Sequence, residues 1–171
     1  HAVTAVPGAS AALAALTVAG QPTDAFFFAG FLPAKEGARK ARIVELAAIP
    51  GTLVIFEAPT RAAATLADLC AELGDREAVL ARELTKLHED VRRRPLPVLA
   101  AEIASHPPRG EVVIVVGPPV NEEVTDETIS ARLAPALEVL SLRDATKMVA
   151  DALKVPKARV YDVALELKRR G

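Results

Sequence analysis

Short apolar runs alternate with longer amphipathic stretches over the first part of the chain. Phe26–Phe28, Leu53–Phe56, Ala78–Leu80 and Val112–Val116 are rich in β-branched and aromatic residues and are bounded by Gly, Pro or charge. That is the pattern of buried strands. Between them, apolar spacing near 3.6 residues predicts helices from about Ser10 to Gly20 and over Gly37–Ala48, Arg61–Leu73 and Pro97–Ser105. Ser10 suits an N-cap and Gly20 a C′ position, and alanine on every side of this first helix predicts close packing on a sheet. Asp90–Arg94 breaks the rhythm. Three successive arginines, Arg92, Arg93 and Arg94, exclude a strand inside a dry core and predict one at a sheet edge, where charge also blocks unwanted pairing. The βαβα order predicts an α/β fold built round a sheet.

Gly117-Pro118-Pro119 and an acidic stretch mark the end of this domain. Beyond them, Ser141 can cap a helix with Asp144 at N3, and Ala145, Met148, Val149, Ala152 and Leu153 share its apolar face. After Lys154-Val155-Pro156-Lys157 a second helix carries Val160, Val163, Ala164 and Leu167 on one face. Two short amphipathic helices joined by a tight turn resemble a helix-turn-helix. The expected organisation is a linker over 1–10, an α/β domain over 11–119 and a helical tail over 120–171.

A chain of 171 residues suits one α/β domain with a smaller appendage. No apolar run approaches the roughly 18 residues that span a bilayer, so a soluble protein with no membrane partner is expected. The start, His1 to Val6, lacks the basic segment and cleavage site of a secretion signal and reads as a chain cut at a domain junction. Cys70 falls on one helical face with Leu66, Leu69 and Leu73, which makes it a small buried hydrophobe of a reducing, cytoplasmic compartment rather than a nucleophile. His1, His88 and His106 are scattered, and neither a metal-ligand cluster nor a Ser/His/Asp arrangement is present in the sequence.

The net charge of −1 gives no overall pull on a polyanion, but its distribution is uneven. Between Gly117 and Leu140, Glu122, Glu123, Asp126, Glu127 and Glu138 face only Arg132, a net of −4. From Ser141 onward, Arg143, Lys147, Lys154, Lys157, Arg159, Lys168, Arg169 and Arg170 outnumber Asp144, Asp151, Asp162 and Glu166, a net of +4. A tail of that charge fits phosphate contacts with RNA or packing on protein. The mixed exposed face of its second helix argues against reading bases in a DNA groove.

The candidate chemistry lies at strand ends, where open α/β sheets bind ligands. Glu57 and Arg61 follow Leu53–Phe56, Arg82-Glu83-Leu84-Thr85-Lys86 follows Ala78–Leu80, and Gly110-Glu111 precedes Val112–Val116. Any one of these is the ordinary composition of a solvated strand end, a reading that several together weaken. Gly30-Phe31-Leu32-Pro33-Ala34-Lys35 leads into Arg39, Lys40 and Arg42, a bent loop beside bases that suits phosphates as well as a solvated helix face.

Five phrases, in order, carry a resemblance: Val6-Pro7-Gly8-Ala9-Ser10-Ala11, Gly30-Phe31-Leu32-Pro33-Ala34-Lys35, Phe56-Glu57-Ala58-Pro59-Thr60-Arg61, Ala81-Arg82-Glu83-Leu84-Thr85-Lys86 and Gly110-Glu111-Val112-Val113. With Ser141-Leu142-Arg143-Asp144-Ala145 and Val160-Tyr161 in the tail, the chain resembles the bacterial small-subunit (16S) ribosomal RNA cytidine 2′-O-methyltransferase I family of the tetrapyrrole methylases. The resemblance implies a mixed, roughly five-stranded sheet with flanking helices, equivalent to the C-terminal α/β/α domain of such a methylase, followed by the helix-turn-helix-like tail. It implies S-adenosylmethionine as cofactor, held between this domain and an N-terminal domain that the sequence does not contain, so that this fragment alone is inactive. On the cofactor side it places Gly8, Ala9, Ser10, Glu57, Glu83, Leu84, Glu111 and Val112. Toward small-subunit ribosomal RNA it places Phe31, Leu32, Pro33, Lys35, Arg39, Arg61, Arg82 and Lys86, with Glu57 or Lys86 as the base that receives the hydroxyl proton. The family also implies a homodimer. The alternatives are a related methylase acting on a tetrapyrrole precursor, or a module for RNA binding or dimerisation only.

Overall fold

The computed structural model describes residues 1–119 and 124–170, without the side chains of Lys168 and Arg170. Glu122 and Glu123 of the acidic stretch therefore lie outside the described residues, as does the first part of the expected tail. The chain divides into two compact units, His1–Val120 and Asn121–Gly171.

In the first unit, residues 1–10 are exposed and carry no helix or strand. Helix α1 spans Ala11–Ala19, with the Ser10 hydroxyl accepting from the Leu13 N–H at 3.5 Å and Gly20 ending it in the left-handed region at φ 71°. There follow β1 (Phe26–Phe31), α2 (Glu36–Ala47), β2 (Thr52–Glu57), α3 (Ala62–Leu73), β3 (Glu77–Arg82), β4 (Asp90–Pro95), α4 (Leu96–Ser105) and β5 (Val112–Val116). The five strands form one mixed sheet in the order β1-β2-β5-β3-β4: β1 and β2 are parallel, and the other pairs are antiparallel.

Alternation along the central strands divides the core in two. Leu53, Ile55, Ala78, Leu80, Val112, Ile114 and Val116 face α2, α3 and α4, whose Ile43, Leu46, Leu66, Leu69, Leu99 and Ile103 are fully buried. Each such side chain contributes roughly 1.5–3 kcal/mol. Cys70 packs at the margin of this layer. Val54, Val79, Ala81, Val113 and Val115 face the other way, onto Ala15, Leu16 and Ala19 of α1. Small residues let α1 sit close to the sheet, as its composition predicts.

The arginine-rich segment is an edge strand, as expected, and its cations are used. Arg92 pairs with Asp90 and with Glu102 of α4, each at 2.9 Å, and Arg93 donates to the Val18 carbonyl in the last turn of α1. The opposite edge differs from expectation. Phe26, Phe27 and Phe28 do form a strand, but they are 45%, 37% and 47% exposed, because β1 pairs with β2 alone and α1 does not reach across it.

The second unit holds three helices among the described residues, α5 (Asp126–Val139), α6 (Leu142–Leu153) and α7 (Lys157–Arg170). Ile129, Leu133 and Ala136 of α5 pack with Ala145, Val149 and Ala150 of α6 and Val160, Val163 and Ala164 of α7. Ser141 caps α6, accepting from the Asp144 N–H at 3.2 Å and donating to its carboxylate at 2.6 Å. Lys154, left-handed at φ 53°, ends α6 and turns the chain into α7. Met148, expected on the buried face, is half exposed.

Candidate functional site

The sheet register brings three of the strand-end phrases together. Val112, the first residue of β5, lies opposite Glu57 at the end of β2 on one side and opposite Arg82 at the end of β3 on the other. The start of α1 closes over this end of the sheet. Two adjoining depressions result. One, about 480 Å³, is lined by residues 8–11, Leu13, Ala81, Glu83, Leu84, Lys86 and Val113. The other, about 510 Å³, is lined by Phe31, Phe56, Glu57, Pro59, Gly110 and Val112. Ala11, Glu111 and Val113 border both.

The wall between β3 and β5 is a latch. The Glu83 N–H donates to the Glu111 carbonyl at 3.0 Å, and the Glu111 N–H donates back to the Glu83 carboxylate at 2.8 Å. The Lys86 ammonium lies 3.3 Å from Glu83 and 3.1 Å from the Glu111 carboxylate. The Glu111 N–H, helped by Lys86, holds the Glu83 carboxyl below the usual carboxylate range. Lys86 is raised by its hydrogen bond to Glu111 and then by that to Glu83. Glu83 and Thr85 both sit at positive φ, 51° and 65°, a conformation that costs of order 1 kcal/mol or more for a residue with a side chain. Gly110 makes room for the latch: at φ 82°, a Cβ added there would lie 2.2 Å from Glu83 Oε1.

The opposite wall is held by two buried carboxylates. Glu57 accepts from the Ala58 N–H at 2.7 Å, the Thr65 hydroxyl at 2.6 Å and Arg61 Nη2 at 3.0 Å. Arg61 Nε lies 2.9 Å from the same carboxylate, an ion pair whose N–H is not aimed at the oxygen. Arg61 Nη2 also donates to the Leu32 carbonyl at 2.7 Å. Asp68 of α3 binds Arg39 Nε at 2.6 Å, and Arg39 donates to the Ala34 carbonyl at 3.2 Å. Two carboxylate-anchored guanidiniums thus grip the backbone of the Gly30–Lys35 loop at two points.

These contacts revise several expectations. Arg39 is 6% exposed and paired with Asp68, and Leu32 is a core residue at 2%. Of the two expected bases, Glu57 is buried and accepts from Ala58, Thr65 and Arg61, and Lys86 is exposed and raised by Glu111 and Glu83. Gly8, Ala9, Ser10, Leu84, Glu111 and Val112 do line the depressions. Phe31 is 65% exposed, Pro33 is partly buried, and Lys35 is exposed. Arg82 is partly spent on the Arg109 carbonyl and Asp90. Thr65 and Asp68 were missed; they stand among ordinary helix residues, and only folding sets them against Glu57 and Arg39.

The tetrapyrrole (corrin/porphyrin) methylase family matches residues 1–100, and the RsmI C-terminal HTH domain matches residues 122–168. The chain is 42% identical over 166 residues to ribosomal RNA small subunit methyltransferase I of Erythrobacter litoralis, covering 97% of this chain and 59% of that protein. To the protein of the same name from Mesorhizobium japonicum it is 43% identical over 169 residues, covering 95% and 56%. The chain therefore spans less than two thirds of the length of these curated relatives. Among solved structures, the methyltransferase CobJ superposes with a TM-score of 0.51 at 21% identity, over 66% of this chain and 49% of that one, a likeness of fold. Identity above 40% along nearly the whole sequence, with both domain matches in order, means that the chain belongs to the ribosomal RNA small subunit methyltransferase I family of tetrapyrrole methylases.

Proposed function

We propose that this chain forms one side of the cofactor cleft and part of the RNA-facing surface of an S-adenosylmethionine-dependent enzyme that methylates a cytidine ribose 2′-hydroxyl in small-subunit ribosomal RNA. The observation that carries the reading is the pair of adjoining depressions at one end of the sheet, open rather than enclosed, with apolar floors and carboxylates at the rim. Their chemistry fits the cofactor: Ala11, Val113, Phe31 and Phe56 offer apolar surface to an adenosyl group, and Glu83 and Glu111 favour a cation. The remainder of the cleft comes from sequence that the longer relatives have and this chain does not span.

When bound, S-adenosylmethionine supplies an electrophilic methyl group on a sulfonium. The residues of this chain act by alignment, which accounts for most of the barrier reduction in a displacement of this kind. Gly8, Ala9 and Ser10 present backbone to the cofactor, and the Glu83–Glu111–Lys86 latch fixes the rim. Glu57 and Arg61 act as positioning residues: they hold the Leu32 carbonyl, and with it the exposed Phe31 and Lys35 of the loop that meets RNA. Lys86, kept protonated, is suited to hold an oxygen of the ribose–phosphate chain rather than to take up a proton.

Calorimetric titration of S-adenosylmethionine tests the cleft, using this chain in parallel with a form extended to the length of the relatives. Binding by the extended form alone, together with methylation of small subunits, is the expected result. Tight binding by the 171-residue chain would mean that the site lies wholly within these residues. Methylation of a tetrapyrrole precursor in place of ribosomal RNA would overturn the substrate. Light scattering of the extended form tests the homodimer.

A further inference from the structure

The second unit carries a cluster that the cleft does not use. Arg143 and Thr146 of α6 and Lys157, Ala158 and Tyr161 of α7 enclose an open depression of about 280 Å³. It is lined by two cations and no carboxylate. Among the described residues, neither Arg143 nor Lys157 has a hydrogen bond or an ion pair. Arg159, on the same helix as Lys157, is by contrast spent on Asp126 of α5 at 2.9 Å. Thr146 lies at the base, 4% exposed, with its hydroxyl donated to the Leu142 carbonyl at 2.7 Å.

Tyr161 is the feature that burial does not explain. It is the only tyrosine of a chain with no tryptophan, and the residue is 43% exposed although its neighbour Val160 is fully buried in the three-helix core. An exposed aromatic face beside unpaired cations is the arrangement by which proteins hold single-stranded nucleic acid: cations on the phosphates, a ring beneath a base. A duplex groove fits less well, because the exposed residues of α7 include Asp162 and Glu166 beside Arg159 and Arg169, and carboxylates there would face a phosphate wall.

We infer that this depression is a subsite for unpaired RNA, in which Arg143 and Lys157 bind phosphodiester oxygens and a nucleobase stacks on Tyr161. The inference rests on the reading that the protein acts on ribosomal RNA. It adds to that reading a contact to a single-stranded stretch, read by shape and stacking rather than by sequence.

The test uses the 171-residue chain and a labelled, single-stranded RNA oligonucleotide of mixed sequence, with fluorescence anisotropy followed across salt concentration. Tyr161→Ala weakens binding about ten-fold, within the range that loss of one base–aromatic stack produces, and Tyr161→Phe does not. Arg143→Gln with Lys157→Gln lowers the slope of log affinity against log salt by about 1.4, since each single-strand phosphate contact contributes about 0.7. Arg132→Gln with Lys154→Gln removes as much charge elsewhere on the same unit and leaves affinity within about two-fold. Circular dichroism confirms that each variant keeps its helices.

Failure of the chain to bind RNA, unchanged binding by the Tyr161→Ala and double variants, or equal loss in the control pair would each overturn the subsite. Equal affinity for duplex DNA, lost in the same variants, would overturn its assignment to unpaired RNA. Methylation of small subunits by the extended protein separates the two readings. Intact methylation with binding unaffected by the variants defeats the subsite alone; variant-sensitive RNA binding without methylation defeats the proposed reaction and leaves the subsite standing.

Discussion

Replacing Glu57 separates positioning from acid–base chemistry. Glu57→Ala removes a side chain that is 0% exposed and takes the acceptor from Arg61 and from the Thr65 hydroxyl. Stripping one partner from a buried ion pair costs about 3–5 kcal/mol. The Arg61 side chain is 29% exposed, so water relieves part of its charge and the lower end, about 3 kcal/mol, is the expected loss. For a cooperative unit of this size that is a fall in Tm of roughly 10 °C. Glu57→Gln keeps the shape and one acceptor oxygen but sets its amide N–H against the donors of Arg61 or Ala58, a loss of about 1–2 kcal/mol. Far-UV circular dichroism follows the whole chain, whereas tyrosine fluorescence reports on the second unit alone, since Tyr161 is the only tyrosine. The loss should therefore appear in the dichroism. A change below about 1 kcal/mol for Glu57→Ala would refute the account of the buried cluster. In the extended protein, loss of a general base removes about 10²–10⁴ in rate. Glu57→Gln should instead raise KM for RNA, with a smaller fall in kcat and an unchanged pH–rate profile. Disappearance of the acidic limb of that profile would restore Glu57 as the proton acceptor.

Gly110→Ala places a Cβ within 2.2 Å of the Glu83 carboxylate and forces it off the Glu111 N–H; NMR titration should then show the Glu83 carboxyl rising toward its ordinary range. Lys86→Met should raise the same carboxyl by removing its second partner, and unchanged titration would break the latch argument. The signs give its pH window: a depressed Glu83 contributes above its unfolded pKa and is lost as acid passes its folded value, while a raised Lys86 contributes below its unfolded pKa and is lost in strong alkali. The Glu111 amide, which donates to the Glu83 carboxylate, should accordingly be protected from exchange at neutral pH and lose that protection, measured against the intrinsic rate at each pH, as acid protonates Glu83. Asp68→Ala leaves Arg39 charged and 6% exposed, so urea denaturation should register a loss of about 3 kcal/mol, and Arg39→Met with Asp68→Leu should recover most of it.

How much of this was legible in the sequence depended on range. Leu53–Phe56 and Val112–Val116 read as strands because they are buried on both faces, and nothing beyond composition was needed. The three arginines of β4 likewise announced an edge, since charge cannot sit in a dry layer. Phe26–Phe28 announced a strand but not its place. Which strands pair, and how far α1 extends over them, is settled far along the chain, and a run of phenylalanine reads the same whether or not a partner covers it. Helix α5 went unread for a local reason. Its buried Ile129, Leu133 and Ala136 are too few among acids, and Pro135 lies inside the helix, where proline removes a hydrogen bond and normally argues against one.

The same distinction governs the site. Strand-end phrases could be read because a sheet delivers the ends of its strands to one place, and the register of β5 against β2 and β3 did so. The role of each charge could not be read, because role depends on partner. Arg39 and Lys35 stand four residues apart beside the same loop, and sequence gives both the same reason to face phosphate. Folding separates them: α3 packs against α2 and presents Asp68, 29 residues away, to Arg39 and Lys40 but not to Lys35, so that Arg39 becomes part of the scaffold while Lys35 stays exposed. Glu57 likewise gains partners that sequence did not show, Thr65 and Arg61 being set around its carboxylate. In Arg143 and Lys157 the direction reverses. Both stood in the sequence as two of eight bases in a mixed tail, and what sets them apart from the equally unpaired Lys147 and Lys154 is that they line one depression together with an exposed tyrosine. In a fold that pairs Arg39, Arg61, Arg92 and Arg159, two unpaired charges gathered beside an exposed aromatic ring are the ones to follow to a partner outside the chain.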